Sequence, residues 1–346
     1  MSAGWVAGTV RARALAARCA GPEGARELAR SRSLDEALRR LDATPYRSRI
    51  RTVESLPAAQ RAVAATLLWH LRVLAGWLPR GGVGILRPLA AGFEIANVTA
   101  LLCPPPDPTP PRSVPPGSDE PTASPPPGAE DPREPAPAAD AGLPDRPRPY
   151  EPGALATAWR TLAAAATPAA VRAALAASAW GDPGSDIPGP LLSAMRLTAA
   201  LHTATASAAA PEGRRWAAGR AALVTAREYF VHRRDLSDGA RRSATALLGV
   251  RAVDASTYDG FRHALPATAR WVLDDAGTAG DLWRAELHWW HTLDTDGRAT
   301  VRTARTGPAV VVGAVAVMSA DAWAVRGALA LAARGGAAPG ARDALV

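Results

Sequence analysis

Apolar residues recur at spacings of three and four through most of this chain, the period of helices with one buried face. Ser33-Leu-Asp-Glu36 sets a serine three residues before a glutamate. That is a capping box, and it predicts a helix over Leu34–Leu41 with Leu34, Leu38 and Leu41 on one face. Leu56-Pro57 leads into a long helix to about Leu78, where Val63, Leu67, Leu71, Leu74 and Leu78 repeat at four, four, three and four. A Pro-Arg-Gly-Gly break follows, then a helix over Ile85–Leu102 with a kink at Pro88.

Further along, helices are predicted over Leu155–Ala166, Ala169–Trp180, Leu191–Ala209, Arg214–His232, Arg241–Leu248, Ser256–Leu265, Thr268–Leu273 and Leu282–Leu293. The last element opens near Ser319-Ala-Asp321 and closes at Gly335-Gly336, with Asp at its start and Arg334 at its end, as the helix dipole favours. Val310–Val317 has the β-branched content of a strand but abuts this helix, so it is either a strand or the helix's own beginning. No run of alternating strands occurs. The fold class is all-α.

Proline changes the picture in one place. Of 32 prolines, 18 lie between Pro104 and Pro149, so residues 104–150 are expected to be a Pro-rich disordered linker with extended, PPII-like backbone. The division is therefore 1–103, an N-terminal helical lobe; 104–150, a linker; and 151–346, the C-terminal helical lobes. The linker carries eight acids against four arginines, while residues 1–103 hold fifteen arginines against seven acids. The helical parts are basic and the tether acidic, within a net charge of +8. All 40 cationic side chains are Arg, which removes Walker A, Schiff-base and ordinary kinase chemistry, each of which needs a lysine. Cys19 and Cys103 are too few for a disulfide framework or a cysteine zinc site, and a reducing, cytoplasmic setting is expected. The N-terminus lacks the apolar core of a signal peptide, and neither Val63–Leu78 nor Ala309–Met318 reaches the ~18 consecutive apolar residues of a spanning helix.

Candidate chemistry is thin. His288 and His291 share a helix face at i,i+3, a spacing that can hold a metal, but Arg284 stands one turn away and no HExxH is present; surface or capping roles are expected. Asp294-Thr-Asp296-Gly297 starts like a calcium loop yet lacks the later ligands, and reads as a helix-terminating turn. Gly81-Gly-Val-Gly84 has no preceding strand and reads as a turn between helices rather than a phosphate loop. In Leu282–Leu293, Trp283, Leu287 and Trp290 make one stripe and Leu282, Trp289 and Leu293 another. So wide an apolar arc is either core or a partner contact, and core is the expectation. Eleven arginines between residues 11 and 51 raise nucleic-acid binding, but acids are interspersed and no aromatic interleaving accompanies them.

Three ordered segments carry a resemblance. They are Trp5-Val-Ala-Gly-Thr-Val-Arg11, the Ser33–Tyr46 segment ending Leu41-Asp-Ala-Thr44-Pro-Tyr46, and Phe93-Glu94-Ile-Ala-Asn97. Together with the looser Asp321-Ala-Trp-Ala-Val-Arg326, they resemble the C/d family of central-stalk subunits of the V-type/A-type rotary ATPases. The resemblance implies a non-catalytic all-α protein of three quasi-repeated lobes forming a funnel, with no cofactor, metal or small-molecule substrate. It implies central-stalk and membrane rotor-ring subunits as partners, and a cytoplasmic place on the inner face of the cell membrane. Trp5, Arg11, Thr44, Tyr46, Glu94, Asn97, Asp321 and Arg326 are then structural motif positions. The alternative is a helical nucleic-acid-binding or regulatory adaptor module.

Overall fold

The computed structural model describes residues 3–51, 53–103 and 148–336; of the expected linker over 104–150, residues 104–147 lie outside them. Among the described residues every regular element is helical. The helices are α1 (Ala3–Ala16), α2 (Gly21–Ala29), α3 (Leu34–Arg40), α4 (Leu56–Trp77), α5 (Gly82–Leu89), α6 (Ala91–Leu102), α7 (Pro168–Ala176), α8 (Pro188–Ala206), α9 (Pro211–Ala226), α10 (Asp238–Leu248), α11 (Tyr258–Ala264), α12 (Leu282–Thr303) and α13 (Pro308–Ala332). Single helical turns join them, and α9 runs on into a π-helical turn at Arg227–Val231.

Hydroxyl caps set five of the thirteen starts. Ser33 Oγ accepts from Glu36 N at 3.2 Å, while the Glu36 carboxylate takes the Arg32 N–H at 2.9 Å, one residue outside the expected box. Ser55, Thr167, Ser237 and Thr257 cap α4, α7, α10 and α11 in the same way. The kink at Pro88 is a full break. Pro88 lacks the N–H that would continue the ladder, and α5 and α6 meet at 42°.

Three predicted elements are corrected. Leu155–Ala166 is not a helix but a 3-10 turn at Gly153–Leu155 and one helical turn at Trp159–Leu162. Its Thr157 and Ala158 amides donate to Glu94 instead of to a helical ladder. Asp294–Gly297 is no terminating turn either, since α12 runs straight through it to Thr303. Asp294 pairs with Arg298 one turn on (2.7 Å), and Asp296 reaches across to Arg215 at 2.8 Å and to the Trp216 indole at 3.1 Å. Nor does the last helix open at Ser319: α13 begins at Pro308 and absorbs the whole valine run. β-Branched residues disfavour an isolated helix only slightly, and here nearly every one is buried, so packing decides. Asp321 and Arg326 interrupt the apolar run, yet α13 is long and apolar enough to cross a membrane by length and composition. Within this fold it is a core helix, packed on α1, α2, α4 and α12.

The early helices and α13 thus pack together in two apolar clusters. Ala12, Leu71, Leu74 and Leu86 pack with Val310, Val311 and Met318, and Leu41, Tyr46 and Val63 with Val325 and Leu329. Arg13 of α1 donates to Val301 O (3.2 Å) and Ala304 O (2.8 Å), placing a cation at the C-terminus of α12. The α12–α13 crossing depends on two glycines. A Cβ on Gly297 would stand 2.8 Å from the Gly313 carbonyl oxygen, and one on Gly313 would stand 3.0 Å from that of Gly297.

Gly297→Ala is expected to destabilise the fold by about 1–3 kcal/mol through overpacking. Gly76→Ala, facing open space in the last turn of α4, is expected to be neutral or stabilising by up to ~1 kcal/mol. Chemical denaturation of the two variants checks the contrast.

Candidate functional site

Glu94 and Asp321 are the two acids that the fold surrounds most completely with donors from distant segments. Both are buried within long apolar helices, and a carboxylate removed from water is costly unless donors meet it. Glu94 of α6 receives three: Thr157 N and Ala158 N at 2.7 Å each and the Trp180 indole N–H at 2.8 Å. Asp321 of α13 receives the Gly21 N–H and the Tyr46 hydroxyl, both at 2.7 Å. In each case the donors are the leading backbone and the trailing aromatic of one segment of short helices.

The segments themselves repeat. Ser33, Ala37, Leu41, Thr44 and Tyr46 stand at the same intervals as Thr167, Val171, Leu175, Ser178 and Trp180, and as Thr257, Phe261, Leu265, Thr268 and Arg270. The first residue of each set caps a short helix, and the second and third are fully buried. Thr44 Oγ1 donates to Leu41 O (2.7 Å) and accepts from Tyr46 N (3.3 Å); Ser178 Oγ does the same with Leu175 O (2.8 Å) and Trp180 N (3.1 Å). These hydroxyls fix the turn that aims the aromatic donor at its acid. The third set departs: Arg270 turns back to His263 O and Leu265 O. The π-helical end of α9 still carries a buried acid, Glu228, which takes Ser193 Oγ at 2.9 Å and Arg234 at 3.1 Å. The equivalence of Trp180 to Tyr46, and Glu228 altogether, were missed by motif reading. The signal was present as hydroxyl–x3–apolar–x3–Leu–x2–hydroxyl, repeated in full three times.

The other motif positions fall as follows. Asn97 closes a two-bond clasp with Tyr150, its Nδ2 donating to Tyr150 O (2.8 Å) and its Oδ1 accepting Tyr150 N (2.7 Å). Tyr150 also stacks edge-on to Phe93 and under Arg61, so the ordered fold begins before the expected linker boundary. Trp5 is half-buried against the α1–α4–α13 core. Arg11 is half-buried near His70, and burial together with the Arg11 and Arg18 charges holds that imidazole at about 4. Arg326 is exposed, its side chain makes no hydrogen bond or ion pair among the described residues, and its carbonyl accepts from Gln60 at 3.2 Å. His291 is exposed and His288 lies against the Trp271 ring at 5.5 Å, and among the described residues no three His, Cys, Asp or Glu side chains gather. Burial pushes Asp321 up despite its donors, and raises Tyr46 and Cys19 beside it well above their usual values.

A cavity of about 530 Å³ opens between α5, α6, α8, α9, α12 and α13. Its wall is apolar, with Ile95, Trp216, Trp290, Leu293 and Val312 prominent. Glu286 stands near it between two guanidiniums, Arg220 at 3.0 Å and Arg227 at 2.9 Å. Burial raises that carboxyl, but the two cations outweigh burial and hold it below its usual value. This set can bind and hold; nothing in it resembles a nucleophile–base pair. A scan against protein-family models and a search of curated proteins return no match to this chain.

Glu94→Gln puts an amide among three N–H donors and is expected to cost about 3 kcal/mol, and Tyr46→Phe about 1–2 kcal/mol, read by urea denaturation. The His70 pKa lies below that of the unfolded chain, so its contribution is complete above the usual imidazole value of 6.5 and is lost as pH falls towards about 4. The stability difference between wild type and His70→Gln should shrink across that window by about 1–2 kcal/mol, discounted for a half-buried ring. Denaturation series at several pH values check it.

Proposed function

We propose that this chain is a non-catalytic, peripheral subunit of a V/A-type rotary ATPase, seating the central stalk on the membrane rotor ring. In this reading the three short-helix segments and the long helices between them are three quasi-repeated lobes of a funnel. The protein then works in the cytoplasm at the inner face of the cell membrane. One observation carries it. Of the eight positions that carry the family resemblance, Thr44, Tyr46, Glu94 and Asp321 belong to a tie made twice, by the segment ending at Tyr46 and by the segment ending at Trp180.

The mechanism is mechanical. Torque applied at one end must reach the other without local unfolding, which calls for closely packed helices and for segments tied to helices distant in sequence. The segment ending at Tyr46 is tied to α13, the last long helix, and the segment after Tyr150 to α6. A chain closed on itself in this way resists being opened from either end. Side chains that titrate or react have no part in such a task.

Affinity purification of the tagged protein from gently detergent-solubilised native membranes, with mass spectrometry of what accompanies it, tests the reading. Nucleotide-binding ATPase subunits together with a small, very apolar ring subunit are expected. Recovery of nucleic acid, or of nothing above an untagged control, would overturn it.

A further inference from the structure

The cavity beside Glu286 has a feature that rotor coupling does not call for. Arg196 of α8 lines it, half-buried, and among the described residues its guanidinium has neither hydrogen bond nor ion pair. The charges around it are Arg220, Arg227, Glu228 and Glu286. Glu286 is taken by Arg220 and Arg227, one oxygen each, and Glu228 by Arg234 and Ser193. Three guanidiniums therefore share one available carboxylate, and Arg196 is the one left over. Burial disfavours its charged form, which adds to the demand for an anion.

The rest of the wall decides what kind of anion. A free phosphate could bond Arg196 but would leave the Trp216, Leu293 and Val312 wall uncovered; a purely apolar molecule would cover that wall and leave Arg196 unpaired. At about 530 Å³ the space falls in the range of sites that enclose a small organic ligand. We propose that this cavity binds a single-chain anionic amphiphile, a carboxylate on an unbranched alkyl chain, with the carboxylate on Arg196 and the chain along the tryptophan-lined wall. A guanidinium donates two parallel hydrogen bonds to a carboxylate, which would fix the head while the chain stays tolerant of length. The proposal does not depend on the rotary assignment.

Dodecanoate below its micelle concentration, titrated into the full chain and followed by tryptophan fluorescence and thermal shift, is the direct test. Saturable binding with a raised Tm is expected, with dodecanol about tenfold weaker or more, dodecyltrimethylammonium weaker still, and inorganic phosphate without effect. Arg196→Gln should lower dodecanoate affinity by about tenfold and leave dodecanol unchanged, while Arg196→Lys, which keeps the charge but not the two-bond fork, recovers only part of the loss. Thermal melts of the unliganded variants confirm that they are folded. Equal affinity for dodecanoate and dodecanol, binding of phosphate alone, unaltered affinity in Arg196→Gln, or no saturable binding would each overturn the proposal.

Discussion

Carboxylates held inside apolar helices are the constraint around which this molecule is organised. Glu94 and Asp321 each occupy a helix that packing alone would bury, and each is satisfied only when a segment remote in sequence closes over it. Donors 63 to 300 positions away must arrive together, so burial of the acid and docking of the segment are one event. An acid that stays unsatisfied if the wrong surface docks makes a mispacked arrangement expensive. Alanine-rich helices resemble one another closely, and a plain hydrophobic contact would discriminate poorly among them; the carboxylate supplies the discrimination.

The same composition permits the close approach of long helices. Gly297 and Gly313 bring α12 and α13 together backbone to backbone, and alanine fills much of the remaining core. Such interfaces gain little from any one side chain and much from fit. Tryptophan does the opposite work. Trp180, Trp216 and Trp289 each pack a large ring and also direct an indole N–H to a named acceptor: Glu94, Asp296 and the Trp216 carbonyl.

Much of the architecture was legible from the sequence because helical periodicity is local. The class, most helix positions, the Ser33 cap and the break at Pro88 all follow from residues within a turn or two of one another. What was not legible depends on distant partners. Asp294-Thr-Asp-Gly reads as a turn until Arg215 and Trp216 are seen to hold Asp296 and Gly313 to need Gly297. The amides of Thr157 and Ala158 leave the helical ladder because a glutamate more than sixty residues earlier takes them. Of the site residues, Tyr46, Glu94 and Asp321 stood out through a family likeness, but who pairs with whom did not. Arg196 had no signal at all, since lacking a partner is a property of its surroundings.

The clasp between Asn97 and Tyr150 holds α6 against a residue 53 positions further along the chain. Only a side chain that donates and accepts at once can make both bonds, so neither Asp nor Leu could stand at position 97 without leaving a backbone group of Tyr150 without its partner.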